Sequence, residues 1–572
     1  MLFSFLEKSA QLYGKLHGEV GISCDHKRKN TGGAWIYSSC GRDRDSVYLS
    51  IVLGAEGMEL TDVLGPVLRG WSLPLLIFAV GYLMVGTPHS DIQPRGCSLL
   101  EHDHFVVYSK RVVTPNGVYP ASVEVKEGRI VSVIRRREAP RSGGGRVHVL
   151  NYENAVVMPG LIDVHVHLNE PGREEWEGFR TGTMAAAAGG ITTVIDMPLN
   201  SFPTTTTKEF LNLKREAAKG SISVDVGFWG GLVPGNVANL TILEELLNSG
   251  VMGLKSFMCP SGINDFPMTT ASDIQAALPV LAKYGRPILV HAEVVQPVED
   301  TPLLRNGVGG LSDDAKRLHS TYLSTRPPSW EQEAVRQLME VAKDTARGGP
   351  AEGARIHVVH VSDAGGALQY IKEAKENGLE VSVETCPHYL AFASEEIPQG
   401  DTRYKCAPPI RNASNRDKLW EALKQGSIDM LSSDHSPAPP ELKEIESGDF
   451  LKAWGGISSL QFMLPVTWTT GRSHHVTVEQ IARWWSSSPA KLANLDRKGS
   501  IQFGKDADLV IWDPEQSYVI DENYTIYHKH KVTPYAGWTL SGRIITTFVR
   551  GQQVYSEGKF PERQCGMRLS AL

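Results

Sequence analysis

Two histidines, His165 and His167, stand one residue apart at the end of an apolar run that reads GLIDVHVHLNEPG. Alternate side chains of an extended strand point to the same face, so both imidazoles would be presented together. Neutral imidazoles are ligands for zinc and other borderline divalent metals. The spacing therefore indicates a chelating pair at the end of a buried strand.

Further residues that can bind metal stand at the ends of later apolar runs. They are Lys255 in GLKSF, His291 in ILVHAE, His360 in HVVHVS and Asp434 in SSDHSP. A single histidine at a strand end is more often a hydrogen-bonded core residue, but a set of this composition favours a metal site. Four imidazoles and a carboxylate exceed what one tetrahedral zinc ion needs, so we expect two metal ions.

Lys255 is the exception in this set, because an ammonium group repels cations. Taken alone, it is most simply interpreted as a salt-bridge partner. An amine that captures carbon dioxide becomes a carbamate, an anion whose two oxygens can each hold one metal. The residues themselves leave both roles open for Lys255.

The elements that must position these residues form a repeated pattern. Eight apolar runs alternate with helical patterns such as EQEAVRQLMEVAKDTA, and eight is the strand count of a (β/α)8 barrel. In such barrels the C-terminal ends of all strands meet at one mouth, where active sites lie. We therefore expect the six candidate ligands to converge on one site.

Short strand patterns flank this barrel on both sides. FVVYSKRVV and ASVEVKEGRIVSVI come before it, and ADLVIWDPE and ITTFVRGQQVYSEG follow it. The pattern predicts an α/β protein, a (β/α)8 TIM barrel with a small β-sandwich domain built from segments on both sides of the barrel. The predicted boundaries are 103–157 and 499–565 for the two β-domain segments, and 158–498 for the barrel.

Residues 1–102 are atypical and precede all of these elements. Residues 73–86 form an apolar run that is short for a bilayer span and lies too far into the chain for an ordinary signal peptide. Three interpretations remain for this extension: a membrane anchor, a poorly ordered segment, or a wrongly assigned start of translation.

Composition points to a globular protein with a small-molecule partner. Of the 572 residues 41% are hydrophobic, and 58 basic against 64 acidic residues give a net charge of −6. Without a long basic run, we expect neither a nucleic acid nor a membrane as partner. Seven cysteines without a CxxC pattern fit a reducing compartment. The ending Ser-Ala-Leu approaches the peroxisomal Ser-Lys-Leu signal but lacks its basic residue, so we expect the cytoplasm, with the peroxisome as alternative.

The motifs together resemble those of the amidohydrolase superfamily, within it the cyclic-amidase branch of dihydroorotases, hydantoinases and allantoinases. The resemblance covers roughly residues 103–558, and HVHLNEPGREEWEGF, AAAAGGITTVIDMPLNSFPTTT, GLKSFMCPSG and SSDHSP look most like allantoinase motifs. The resemblance implies a homotetramer with two zinc ions per subunit. It also implies that the zinc ligands are His165, His167, Lys255 as N6-carboxylysine, His291, His360 and Asp434.

The residue that follows the His-x-His motif distinguishes the members of this branch. Dihydroorotases use an arginine there to bind the carboxylate of their substrate. This chain has Asn169 instead, which suits the uncharged, polar allantoin. Hydantoinases lack the Asn-Glu-Pro-Gly run. The resemblance thus implies an allantoinase that opens the hydantoin ring to allantoate. The alternatives are a dihydropyrimidinase (hydantoinase), a dihydroorotase, or a non-catalytic scaffold related to dihydropyrimidinases.

Asp434 has two expected roles, as metal ligand and as proton carrier. Metal coordination lowers the pKa of water toward about 7 and so supplies a hydroxide. Asp434 would take the proton that this water loses and pass it to the leaving ring nitrogen. By their position in loops at the barrel mouth, the expected substrate contacts are Asn169, Asn200, Ser436 and the backbone of Gly455 and Gly456, with turn formation as the alternative role.

Three further histidines lie close to the predicted ligands in sequence. His357 comes earlier in its run than His360, and we interpret it as structural. His388 and His435 would lie near the mouth, where they either orient ligands or serve the fold.

Overall fold

The computed structural model describes residues 26–29, 35–43, 46–52, 96–140, 147–296 and 310–571. The apolar run at 73–86, with the interpretations attached to it, lies outside the described residues. The chain divides into two compact units, Met1–Ile92 and Gln93–Leu572. In the first unit the backbone forms an antiparallel sheet in the order β1 (His26–Lys29), β2 (Trp35–Asp43) and β3 (Ser46–Val52).

The second unit begins with strands of a sheet that lies outside the barrel. They are β4 (His104–Thr114), β5 (Gly117–Lys126), β6 (Arg129–Arg135), β7 (His148–Asn151) and β8 (Val156–Pro159). Strand β5 pairs antiparallel with both β4 and β6, whereas β7 and β8 pair parallel with β4. In β4, Phe105 and Val107 are fully buried while Val106 between them is half-buried, as the two-residue period of a strand requires.

Parallel strands follow in the order of the eight apolar runs. They are β9 (Leu161–Val166), β10 (Ile191–Asp196), β11 (Asp225–Phe228), β12 (Gly230–Gly231), β13 (Leu254–Phe257), β14 (Pro287–His291), β15 (Arg355–Val358), β16 (Val381–Thr385) and β17 (Met430–Leu431). The third run is divided at Trp229, so β11 pairs with β10 and β12 pairs with β13. A parallel bridge between Val166 and His435 joins the last strand to the first and closes the barrel.

Helices connect the barrel strands and follow them toward the C-terminus. They are α1 (Phe179–Ala188), α2 (Lys208–Ala218), α3 (Pro234–Val237), α4 (Leu240–Asn248), α5 (Ala271–Tyr284), α6 (Asp313–Lys316), α7 (His319–Thr325), α8 (Pro328–Ala342), α9 (Gly366–Glu376), α10 (Pro387–Ala391), α11 (Ala413–Gln425), α12 (Met463–Gly471), α13 (Val478–Ala482) and α14 (Ser488–Leu492). Helix α5 begins with a capping box between Thr270 and Asp273 and ends at Gly285, whose φ of 58° is left-handed. Within the described ranges, none of these helices has the length and apolar character needed to cross a membrane.

The chain returns to the outer sheet after the barrel. Strands β18 (Leu509–Val519), β19 (Thr539–Val549) and β20 (Gln552–Ser556) extend it to the order β20-β19-β18-β8-β4-β5-β6, with β7 beside β4. Strand β18 pairs antiparallel with β8, so one sheet contains segments from both sides of the barrel. The predicted fold class, a (β/α)8 barrel with a small β-domain drawn from both sides, is confirmed.

Side chains from several strands fill the inside of the barrel. Ile162, Val164, Ile195, Leu289 and Met430 belong to one buried cluster with Trp229. The Trp229 indole Nε1 donates to the Val164 carbonyl at 2.8 Å, which satisfies the polar atom of a large buried ring. The packed interior leaves the strand ends as the place where polar side chains can gather.

Candidate metal centre

The barrel brings the six predicted ligands to the C-terminal ends of its strands. His165 lies in β9 and His167 directly follows that strand, while Lys255 lies in β13 and His291 ends β14. His360 and Asp434 follow β15 and β17. All six side chains are buried. The sequence placed them on five strands, and the closed barrel brings those strand ends to one mouth.

Distances among these side chains describe a continuous cluster. The ring centroid of His165 lies 5.6 Å from that of His167 and 5.3 Å from that of His360, which in turn lies 4.6 Å from that of His291. The Oδ1 atom of Asp434 lies 3.3 Å from Nε2 of His165 and 3.5 Å from Nε2 of His167. Possible ligand atoms of His165, His360 and Asp434 lie within 4.8 Å of one another, close enough to share a metal ion.

The Lys255 amine is fully buried beside these rings. Its Nζ lies 5.0 Å from the ring centroid of Phe257, and that ring stacks on His291 at 4.4 Å. Burial lowers the pKa of Lys255 to about 8, although Glu384 and Asp434 oppose the shift. Among the described residues Nζ has neither a hydrogen-bond partner nor a salt bridge, which counts against the salt-bridge interpretation.

Protonation states in the cluster suit a divalent cation. Burial lowers the pKa values of His165, His291 and His360, which favours the neutral imidazole that binds metal. Burial alone would raise the pKa of Asp434, but His165 and His167 lower it to about 2, so the carboxylate stays ionised. Two buried atoms, His360 Nδ1 and Lys255 Nζ, lack hydrogen-bond partners in the described part of the chain. The donor set therefore fits a metal centre.

The backbone is strained at two of the predicted ligands. His360 and Asp434 have φ values of 37° and 44°, in the left-handed region that residues with a Cβ atom rarely adopt. Asp163 holds the neighbouring backbone, since its Oδ1 accepts from the N–H groups of His165 and Ser433 at 3.2 and 3.1 Å. Strain of this kind is typical of functional sites.

Glu384, which the sequence analysis missed, supports the first ligand. Its Oε1 accepts from His165 Nδ1 at 2.6 Å, and its Oε2 accepts from His357 Nε2 at 3.0 Å. Nε2 of His165 is thereby left to face Asp434 and the rest of the cluster. Glu384 lies near the end of β16, a strand for which no ligand was predicted, and that position is the signal that would have found it.

Glu293, also missed, supports His291 in the same manner. Its Oε2 accepts from His291 Nε2 at 2.6 Å. Burial alone would raise the pKa of Glu293, but Arg326 and His291 lower it to about 2. Glu293 stands two residues after His291, and this His-x-Glu spacing was the available signal.

Cys259, His291 and Glu293 form a further group whose potential ligand atoms lie within 4.8 Å of one another. A guanidinium already lies there: Arg326 donates to both Glu293 oxygens, at 2.7 and 3.1 Å, and its Nη2 lies 3.7 Å from Cys259 Sγ. Burial also raises the pKa of the Cys259 thiol to about 12, away from the thiolate that binds metal. This group is a hydrogen-bonded support for His291 and not a second metal site.

The three neighbouring histidines have different surroundings. His357 donates to Glu384 and lies 2.8 Å from Ser382 Oγ, so it also helps to hold the carboxylate behind His165. His388 is fully buried, and neither ring nitrogen has a hydrogen-bond partner among the described residues. His435 Nδ1 accepts from the backbone N–H groups of Ser459 and Leu460, at 3.0 and 3.2 Å, which fastens the loop after β17.

Four of the five loop residues predicted to contact substrate are buried, and one of them lies against a predicted ligand. Asn200 Nδ2 lies 3.3 Å from His167 Nδ1, and the buried Asn169 amide has no partner among the described residues. Gly456 packs on Ser436, where an added Cβ atom would lie 2.2 Å from the Ser436 carbonyl oxygen. The sequence analysis placed all of these residues in loops, but the contact of Asn200 with His167 depends on the tertiary structure.

Comparison with known proteins agrees with this geometry. Residues 156–554 match the model of the amidohydrolase family, and residues 100–155 match the allantoinase composite domain. An allantoinase from Arabidopsis thaliana is 58% identical over 497 residues, which cover 86% of this chain and 97% of that protein. A probable allantoinase from Oryza sativa subsp. japonica is 54% identical over 508 residues, which cover 88% of this chain and 99% of that protein.

Solved structures support the same assignment. The L-hydantoinase (dihydropyrimidinase) from Arthrobacter aurescens has a TM-score of 0.72 and 30% identity, and the match covers 82% of this chain and 100% of that chain. Amidohydrolases depend on metal, and the buried cluster at the barrel mouth provides candidate ligands. The family model spans most of the chain, and this chain belongs to the amidohydrolase family.

Proposed function

We propose that this protein is an allantoinase, which hydrolyses a ring amide of allantoin to give allantoate. One observation carries the proposal: the buried cluster of imidazoles, Lys255 and Asp434 lies in a chain that is 58% identical to an allantoinase over nearly all of that relative. The match of residues 100–155 to the allantoinase composite domain favours this activity over those of hydantoinases and dihydroorotases. A complete set of candidate ligands counts against the non-catalytic scaffold.

We infer that two zinc ions are held by His165, His167, Lys255, His291, His360 and Asp434, with Lys255 carboxylated between them. In that modification a bond forms between Nζ and the carbon of carbon dioxide, and one proton is released. The buried amine without a partner among the described residues supports this role. When bound, the metal ions activate water and polarise the substrate carbonyl.

Asp434 is the group that moves the proton. Its Oδ1 faces His165 and His167 at 3.3 and 3.5 Å, at the end of β17 and so at the barrel mouth. Because its low pKa keeps the carboxylate ionised, Asp434 accepts a proton from the attacking water. It then delivers that proton to the ring nitrogen, which leaves as the amide bond breaks.

Uncharged polar groups on the neighbouring loops suit an uncharged polar ring. The Asn169 amide offers both a donor and an acceptor that no described residue satisfies, so it can bond to a ring amide in both directions. Asn200 links its loop to His167. Ser436 stands two residues after Asp434, and Gly456 packs directly on Ser436, so the Ser436 hydroxyl and the Gly456 backbone supply further hydrogen-bonding groups.

We also propose that the subunits form homotetramers in the cytoplasm, with the peroxisome as the alternative compartment. The resemblance to cyclic amidases supports the oligomeric state. Light scattering on the purified protein and imaging of a fluorescent fusion that keeps the C-terminus free would test the two statements.

The function is tested by turnover of allantoin, dihydrouracil and dihydroorotate with the purified full chain, while bound metal is quantified on the same sample. We expect hydrolysis of allantoin and close to two metal ions per chain. Hydrolysis of dihydrouracil alone would keep the metal centre but contradict the role of Asn169. Inactive, metal-free protein, even after zinc and bicarbonate are added, would contradict the proposed function.

A further inference from the structure

Arg326 lies at the C-terminal end of α7, directly before α8, and its side chain reaches the back of the metal centre. Its Nη2 and Nε donate to the two oxygens of Glu293 at 2.7 and 3.1 Å. Nη2 also lies 3.7 Å from Sγ of Cys259. Cys259 follows the strand that carries Lys255, and Glu293 follows the strand that carries His291. One guanidinium therefore contacts the segments that continue two ligand strands.

Glu293 transmits this contact to His291. The carboxylate is fully buried and bonds on one side to Arg326 and on the other to His291 Nε2, at 2.6 Å. Since a carboxylate accepts, His291 must carry its proton on Nε2, and Nδ1 is left without one. Phe257 stacks on the ring with an interplanar angle of 13°, which sets the plane of the imidazole but not its rotation within that plane.

We propose that Arg326 is a positioning residue for the metal centre. Through Glu293 it fixes the in-plane rotation and the tautomer of His291, so that Nδ1 is the ring nitrogen left free to bind metal. Bidentate contact suits this role, because both carboxylate oxygens are held and the carboxylate plane cannot turn. The inference rests on the proposed function only in that the six residues bind metal.

The alternative is a salt bridge that stabilises the fold without affecting the metal. The two roles differ in what Glu293 passes on. A purely structural pair would alter unfolding and leave metal affinity alone, whereas a positioning residue changes both the affinity and the ligand field at the ion.

The test compares Arg326→Met with Arg336→Met in the full chain. Arg336 is a matched control: it lies one helix further along, in α8, and its bidentate pair with Glu333 is solvent-exposed. We expect Arg326→Met to bind Zn²⁺ about 10–100-fold more weakly in competition with a chromophoric chelator. We also expect its Co²⁺-loaded form to show an altered visible spectrum, with both properties unchanged in Arg336→Met.

Arg326→Met leaves a buried carboxylate without its cation, so two further variants guard against simple misfolding. Arg326→Lys keeps the charge and should restore part of the Zn²⁺ affinity. The double variant Arg326→Met/Glu293→Gln removes both charges and should lose no more affinity than Glu293→Gln alone, because Arg326 acts through Glu293.

Two results would overturn the inference: wild-type Zn²⁺ affinity and Co²⁺ spectrum in Arg326→Met, or a double variant whose loss equals the product of the two single losses. Metal affinity is measured separately from turnover. A wild-type protein that fails to hydrolyse allantoin, while its Zn²⁺ affinity still falls in Arg326→Met, would contradict the proposed function and support the role of Arg326.

Discussion

The two sides of the metal centre hold their histidines with carboxylates in different electrostatic surroundings. On the side of β9 and β16, Glu384 lies between the imidazoles of His165 and His357, and no arginine or lysine among the described residues hydrogen-bonds to it. On the side of β14, Glu293 lies between His291 and the guanidinium of Arg326. The guanidinium of Arg326 is a permanent cation that balances the charge of Glu293, whereas Glu384 is hydrogen-bonded by imidazoles.

The two buried carboxylates differ in how far the protein alone balances their charge. Among the described residues, only imidazoles hydrogen-bond to Glu384, so a metal ion bound nearby should add more to the balance of its charge than to that of Glu293. The Glu293 side has a complete ion pair within the protein, so the charge of its carboxylate is balanced without metal. The same carboxylate–histidine contact thus occurs twice in one centre, once with a protein cation that balances the carboxylate and once without a hydrogen-bonded arginine or lysine.

The largest expected loss of activity follows from removing Asp434, the carboxylate that faces His165 on the Glu384 side. Asp434→Ala should lower allantoin turnover by about 1,000-fold or more, because general acid–base groups contribute about 100- to 10,000-fold and a metal ligand is lost as well. Steady-state kinetics and circular dichroism would show inactive but folded protein. Asp417→Ala, on the exposed face of α11, is the control. Near-normal turnover in Asp434→Ala would remove this residue from the mechanism.

Neutralising each supporting carboxylate in turn is the most direct test of the difference between the two sides. Both Glu384→Gln and Glu293→Gln should weaken Zn²⁺ binding by about 10–100-fold. Their metal-free forms should differ: Glu293→Gln leaves the Arg326 guanidinium unpaired and should destabilise the fold by about 3 kcal/mol, whereas Glu384→Gln breaks no hydrogen-bonded ion pair with an arginine or lysine and should cost less. Urea unfolding of the metal-free proteins measures this, and equal losses would contradict the comparison.

The Glu293 side should also be destabilised by acid, because a buried histidine lies on α7, the helix that precedes Arg326. His319 packs against Phe450, and burial lowers its pKa from 6.5 to about 4. Its neutral form is favoured in the fold, so its contribution is present above pH 6.5 and lost as the pH falls toward 4. In the metal-free protein, His319→Phe should remove about 2–3 kcal/mol of the acid-induced loss of stability. An unchanged pH dependence of urea unfolding would exclude His319 as its source.

The smallest expected effect is on the outer partner of Glu384. His357→Leu removes one of the two donors to that carboxylate and should lower Zn²⁺ affinity by about fivefold, less than Glu384→Gln. His357→Gln retains a donor and should recover most of the affinity. If His357→Leu weakened Zn²⁺ binding as strongly as Glu384→Gln, the position of Glu384 would depend as much on His357 as on His165. That result would contradict the minor role assigned to His357.

Several features of this centre were predictable because they are local or periodic. The spacing of His165 and His167 follows from the two-residue period of a strand, and the barrel follows from the number and alternation of apolar runs. The C-terminal position of each polar residue in its run placed it at the mouth. The interruption of the third run at Trp229 was not predictable, because the indole takes its place by bonding to Val164 on another strand.

The supporting residues were harder to find, since their roles depend on partners far away in the chain. Glu384 is 219 residues from His165, and Arg326 is 33 residues from Glu293 across residues outside the described ranges. No spacing rule joins such positions. Glu293 and Glu384 nevertheless lie at or just after strand ends, where a carboxylate deserved the same weight as a histidine.

The fold class, the six candidate ligands and the metal chemistry could be inferred from the sequence alone, because strand periodicity and the residue types at strand ends are local properties of the chain. Which ring nitrogen of His165 and of His291 bonds to a supporting carboxylate depended on the three-dimensional fold. It also decided that Lys255 is buried without a partner among the described residues, and that Arg326 fills the space beside Cys259. The physical reason is that hydrogen bonds and ion pairs act over a few ångströms, and barrel closure sets which distant residues come within that range.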